Sequence, residues 1–128
     1  MLHLVATSDG SKTIFNSEVG ENYHSHHGAL QESRHVFLNS GLKHFLQDKQ
    51  VQEVSILEVG LGTGLNFLLS ADFCIAKSIH LNYCGIEAYP LVDTFIGETG
   101  YGKYLSSQLW NSFLNAYPVS INKTVNLN

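Results

Sequence analysis

The chain has 128 residues, of which 44% are hydrophobic and 14% charged, and its formal net charge is −4. That length suits one domain with a real core, and the composition excludes disorder, which needs low hydrophobicity and high charge. The acidic balance also lacks the basic stripe of a nucleic-acid surface, so an RNA substrate would need a small basic patch or one supplied from elsewhere.

No apolar run approaches the ~18 residues of a membrane span. The N-terminus, MLHLVATSDG, has no basic region followed by an apolar core, so it does not read as a secretory signal. Cys74 and Cys84 both lie in apolar segments. They are expected to be buried thiols of a reduced, cytoplasmic protein.

Leu2–Thr7 and Thr13–Asn16 are rich in strand formers, and Ser8-Asp9-Gly10-Ser11 between them is a turn signal. A β-hairpin is predicted. A polar segment, Ser17–His27, follows. Gly28 to about Ser40 reads as a helix with Leu30, Phe37 and Leu38 on one face and Glu32 and Arg34 turned from it. Gly41 is placed like a C-cap, with a short restart over Leu42–Leu46. Gln47–Glu53 is a polar linker.

Val54–Val59 is a β-branched, mostly apolar run, expected to be a strand buried on both faces. Gly60–Gly64 breaks it. Leu65–Ala76 carries Leu65, Leu68, Leu69 and Phe73 at helical spacing. Ile79–Ile86 is a second strand. Strand, helix and strand at this spacing predict a βαβ unit with parallel strands. Pro90 suits the first turn of a helix running to about Ile96. Gly97–Gly102 is read as a loop and Lys103–Ala116 as a helix ended by Tyr117-Pro118. Val119–Leu127 alternates in the manner of a strand. The whole is one α/β domain: residues 1–50 a hairpin and helix extension, residues 51–128 the first part of a Rossmann-like sheet.

The chemistry lies in Ile56–Asn66, ILEVGLGTGLN. Glycines between a buried strand and a helix let the backbone turn tightly and approach a ligand. The helix behind them directs N–H groups and partial positive charge at it. A dinucleotide fingerprint, G-x-G-x-x-G/A, fails because Leu65 stands at the third small position. A P-loop fails at the same residue and lacks its Lys. The pattern that fits is E-x-G-x-G-x-G, over Glu58, Gly60, Gly62 and Gly64, which resembles the cofactor loop of class I S-adenosylmethionine-dependent methyltransferases. An acidic residue roughly 20 positions on should then meet ribose hydroxyls. Glu87 ends the second strand at the right distance, and a carboxylate accepts from both vicinal hydroxyls. His24, His26 and His27 have no Cys or carboxylate at ligand spacing. They are read as a solvated loop and not as a metal site.

Three blocks extend the resemblance to one family. ENYHSHHGALQESRHVF (Glu21–Phe37), ILEVGLGTGLNFL (Ile56–Leu68) and GIEAYPL (Gly85–Leu91) together resemble the tRNA 5-methylaminomethyl-2-thiouridine methyltransferases. These are the MnmD type and the methyltransferase half of MnmC. The resemblance implies methyl transfer from S-adenosylmethionine to the exocyclic amine of a modified tRNA wobble uridine. It implies that Gly60, Gly62, Gly64 and Asn66 line the cofactor, with Glu58 nearby and Glu87 on the ribose. Tyr23, Ser25 and Glu32 would shape the substrate pocket. The partners it implies are tRNA and, in fused members, an FAD-dependent oxidoreductase half. Family members carry a later Asp-Ala-Phe-x-Pro type motif whose Asp handles the amine, and this sequence ends at Asn128 without one. The expectation is therefore an N-terminal portion, catalytically incomplete, able to self-associate through an exposed sheet edge. The rivals are a non-catalytic adenosyl-binding fragment and an assembly module.

Overall fold

The computed structural model describes residues 1–127. Strands β1 (Leu2–Ala6) and β2 (Lys12–Asn16) pair antiparallel with Leu4 opposite Ile14. Asp9 organises the turn between them. Its Oδ1 accepts from the Ser11 N–H at 2.9 Å, from the Ser11 hydroxyl, and from Thr7 Oγ1 at 2.9 Å. Inside the polar segment a two-residue strand, β3 (Glu21–Asn22), adds to the far side of β2. It is too short to leave a periodic signal.

The same turn starts the first helix. A helix leaves its first four N–H groups without intrahelical partners. Here Ala29 N–H donates to Thr7 Oγ1 (3.0 Å), Leu30 N–H to Ser11 Oγ (3.0 Å) and Gln31 N–H to Asp9 Oδ2 (2.9 Å). Glu32 N–H reaches Gly28 O at 2.9 Å. The hairpin is thus the N-terminal cap of the helix. Gly28 is required by this closeness: a Cβ there would lie 2.5 Å from Asp9 Oδ2.

The helix continues further than its sequence suggested. Ala29–Glu32 (α1) is α-helical, Ser33–Lys43 is π-helical and His44–Leu46 (α2) is α-helical, without a break. Gly41 therefore does not cap it. A glycine costs a helix about 1 kcal/mol, less than burying Leu38 and Leu42 on either side returns. The i→i+5 bonding widens the turn. Ser33, Leu38 and Leu42 consequently share the buried face, while Phe37 is only half-buried. Arg34 is exposed as predicted, but Glu32 is half-buried.

Strand β4 (Glu53–Val59), helix α3 (Leu65–Ala76) and strand β5 (His80–Ile86) form the predicted βαβ unit. β4 and β5 are parallel, with Ile56 opposite Tyr83 and Glu58 opposite Gly85. α3 packs on the π-helical segment, on β5 and on the last helix, α5 (Ser107–Ser120). Its Leu65, Leu68, Leu69 and Cys74 enter the core. The expectation that β4 is buried on both faces is corrected. Val54 and Glu58 are buried, whereas Leu57 and Val59 are 64% and 80% exposed. Among the described residues nothing packs on that side of the sheet, because α3 covers only the other. Cys84, opposite Leu57, is exposed for the same reason, and of the two thiols only Cys74 is buried.

The C-terminal quarter departs most from its sequence reading. Pro90 precedes the short helix α4 (Asp93–Gly97) and does not start it. Tyr101–Tyr104 is a 3₁₀ turn. α5 spans Ser107–Ser120, with the Ser106 hydroxyl accepting from Leu109 N–H at 3.2 Å. Pro118 sits in its last turn, where it forgoes one i→i−4 hydrogen bond with only two helical residues after it, and the helix runs past the predicted stop. Val119–Leu127 is not a strand. Val119 and Ser120 are helical, Asn122 takes φ +62° and the rest of the segment is turn or irregular. Alternation makes a strand only where a neighbouring edge accepts its hydrogen bonds, and none lies beside it among the described residues. Two tyrosines tie this region down. Tyr101 OH donates to Lys12 O and Tyr117 OH to Leu91 O, each at 2.7 Å.

Candidate functional site

β4 stops where the chain reaches glycine. The N–H groups of Gly60 and Leu61 both donate to Ile86 O, at 2.7 and 3.2 Å, which hangs the loop on the end of β5. Gly60, Gly62 and Gly64 take φ of +82°, +58° and +81°. These are left-handed values that disfavour any side chain. Close packing adds to the requirement. A Cβ on Gly64 would lie 2.8 Å from Phe113 Cζ, and one on Gly85 would lie 2.8 Å from Leu61 Cδ1. A Cβ on Gly60 would meet nothing within 4 Å, so the backbone there faces open space.

Two carboxylates flank the loop. Glu58 is 6% exposed. Tyr83 OH donates to its Oε1 and Asn66 Nδ2 to its Oε2, both at 2.6 Å. Burial raises the Glu58 pKa, and those two hydrogen bonds oppose the rise. An ionised carboxylate only accepts, so the Asn66 amide must turn its nitrogen to Glu58. Its Oδ1 is left buried with no hydrogen-bond partner. Glu87 stands on the other side. Its Oε1 accepts from Gly62 N–H at 2.7 Å and its Oε2 from Tyr89 N–H at 3.2 Å. The acidic strand end therefore holds the middle of the loop directly and keeps lone pairs in reserve.

A cavity of about 250 Å³ lies between the loop and the N-terminal segment. Gly60–Thr63 and Asn66 form one wall; Tyr23, His24, Glu32, Ser33, Val36 and Phe37 form the other. The Tyr23 ring lies over Gly62, where a Cβ would be 3.2 Å from Cδ2. Burial, and second the charge of Glu87, raise the Tyr23 pKa. Ser25 does not line the cavity. Its backbone N–H donates to Glu32 Oε1 at 3.2 Å and fixes that carboxylate.

Of the residues singled out in the sequence, Gly60, Gly62, Asn66, Tyr23 and Glu32 converge on this cavity. Gly64 faces Phe113, Glu58 supports Asn66 from beneath, and Glu87 clamps the loop from outside. The sequence does not single out Tyr83 or Thr13, and it reads His24 as part of a solvated loop, whereas the structure holds that ring against Thr13. The parallel register could reveal Tyr83, because it puts Tyr83 two pairs back from Glu58 on the same face of the sheet. The other two meet across β2 and carry no local signal.

No family model matches the chain. Curated relatives do. It is 35% identical over 81 residues to the tRNA 5-methylaminomethyl-2-thiouridine biosynthesis bifunctional protein MnmC of Methylobacillus flagellatus, covering 60% of this chain and 12% of that one. It is 43% identical over 68 residues to MnmC of Magnetococcus marinus, covering 51% and 10%. With MnmC of Marinomonas sp. it shares 30% identity over 100 residues, 75% of this chain and 15% of the relative. Among solved structures, MnmC2 from Aquifex aeolicus superimposes with a TM-score of 0.60 at 27% identity, over 71% of this chain and 30% of that one. The resemblance to the MnmD/MnmC methyltransferase family holds. The match spans only a small part of the length of each curated relative, and it carries the α/β fold with it.

Proposed function

We propose that this chain binds S-adenosylmethionine over the Gly60–Gly64 loop and serves methylation of the exocyclic amine of a modified tRNA wobble uridine. One observation carries the reading: Glu87 Oε1 grips Gly62 N–H at 2.7 Å while a cavity opens on the loop's other side. That geometry gives an adenosyl ligand both places it needs.

The residues present fit such a ligand. The space over Gly60 is clear, the remaining Glu87 lone pairs can accept from two ribose hydroxyls, and Asn66 Oδ1 is a buried acceptor awaiting a donor. When bound, the cofactor supplies a methyl group activated by its sulfonium. The chain's own contribution is positional. Tyr23, Val36 and Phe37 line the cavity, and Glu32 offers a fixed carboxylate to an amine. The relatives are named for biosynthesis of the methylaminomethyl-thiouridine nucleoside, which supports tRNA as the partner and a cytoplasmic setting. No helix among the described residues is long and apolar enough to cross a membrane.

Titration calorimetry with S-adenosylhomocysteine tests the reading. Binding by the wild-type chain is expected, weakened about tenfold or more by Glu87→Ala, which removes a charged acceptor and the loop's clamp. A wild-type chain that takes up no S-adenosylhomocysteine sinks it.

A further inference from the structure

The cavity wall opposite the glycine loop has a chemical polarity of its own. Thr13 is fully buried at 0% exposure. Its hydroxyl oxygen accepts from the His24 backbone N–H at 3.1 Å and meets His24 Nδ1 at 2.8 Å. A buried hydroxyl proton must find an acceptor. Among the described residues Nδ1 is the one available. The hydroxyl therefore donates to Nδ1, and the neutral ring carries its proton on Nε2. Nε2 has no partner among the described residues and is not sealed from solvent, and His24 lines the cavity. Burial lowers the His24 pKa and so favours the same neutral form, while the charge of Glu32 opposes it.

Beside it, Glu32 Oε1 is occupied by Ser25 N–H, while Oε2 makes no hydrogen bond among the described residues. We propose that His24 Nε2–H and Glu32 Oε2 form a two-point subsite for a group bearing an ammonium next to an oxygen acceptor. The ammonium pairs with the carboxylate, and the oxygen takes the imidazole proton. Thr13 is a positioning residue: it sets which ring nitrogen faces the ligand. The subsite deepens the cofactor reading above and rests on it.

Two molecules of that reaction carry this chemistry. One is the amino-acid end of the adenosyl cofactor. The other is an aminomethyl pyrimidine, whose amine lies near a ring carbonyl. Calorimetry separates them. The ligands are S-adenosylhomocysteine, 5′-methylthioadenosine (the same nucleoside without the amino-acid end) and 5-aminomethyluridine added to the homocysteine complex. The proteins are wild type, Glu32→Gln and His24→Phe.

If the subsite holds the amino-acid end, wild type prefers S-adenosylhomocysteine to methylthioadenosine about tenfold or more. Both variants then erase the preference without changing methylthioadenosine affinity. If it holds the pyrimidine, both variants keep the nucleoside affinities and lose 5-aminomethyluridine by a similar factor. Unchanged affinities for all three ligands in both variants overturn the subsite while leaving the cofactor reading standing. Failure of wild type to bind either adenosyl nucleoside removes both. Long-range proton–nitrogen spectra of the imidazole give an independent check. Wild type should carry the proton on Nε2, and Thr13→Val should shift the Nδ1 resonance by removing its hydrogen bond. A wild-type Nδ1–H refutes the donor role.

Discussion

Replacing Asp9 by Asn should destabilise the fold by about 1 kcal/mol at neutral pH, and that cost should vanish in acid. The Asp9 carboxylate accepts from Thr7, from the backbone and hydroxyl of Ser11, and from Gln31 N–H at the start of α1. Asn keeps one acceptor oxygen but turns an NH₂ toward Gln31 N–H, so the helix loses one cap and a negative charge at its positive end. Losing a cap costs roughly 0.5–2 kcal/mol and the charge roughly 0.3–1. The titration behaviour points to the same size. Burial raises the Asp9 pKa, but the bonds from Ser11, Gln31 and Thr7 outweigh it and bring it from 3.8 to about 2. Each unit corresponds to about 1.4 kcal/mol, and because Asp9 is exposed solvent screening cuts the sum to roughly 1. A depressed carboxyl pKa stabilises fully above the unfolded value near 4, and the contribution disappears as pH falls through about 2. Urea titrations of both proteins, followed by far-ultraviolet circular dichroism across that window, check it. Equal stability at pH 7, or a penalty undiminished below pH 2, would refute the reasoning.

Two further substitutions probe the loop. Gly64→Ala places a Cβ 2.8 Å from the Phe113 ring at φ +81°, and Phe113 is buried in a stack with Phe67, Trp110 and Tyr117. A loss of about 2 kcal/mol in denaturant unfolding is expected. Glu58→Gln should cost under about 1 kcal/mol, because the Asn66 amide can turn its idle Oδ1 to the new NH₂ while Tyr83 keeps its acceptor. Glu58→Ala should cost about 2–3 kcal/mol by stranding both donors. Parallel denaturation curves of the two variants decide between them. Because burial raises the Glu58 pKa, wild type should also gain stability relative to Glu58→Gln as pH falls through the folded-state value.

The segment from β4 to β5 was legible because its signals are local: an apolar β-branched run, glycine punctuation, and leucines at helical spacing. Glu87 was legible too, since only its distance from the loop had to be counted. What escaped depended on residues far apart in the chain. The turn at Asp9 was visible, but not that its oxygens would cap a helix 22 residues later. A period of 3.6 puts Phe37 on the buried face of that helix, but the backbone there bonds i→i+5 and leaves it half-buried. The alternation of Val119–Leu127 is real but has no edge to pair with among the described residues. In the sequence His24 is one of three loop histidines. Its distinction comes from Thr13 on a neighbouring strand, which no spacing along the chain announces.

The unequal cysteines have a practical consequence. Cys74 is enclosed and burial raises its thiol pKa, whereas Cys84 stands in the open sheet face opposite Leu57. A maleimide should therefore mark the folded chain once, at the centre of that face, and twice after unfolding. The molecule carries a single-site optical handle of its own. Its labelling rate can monitor the covering of the β4–β5 surface by any other protein segment without an engineered residue.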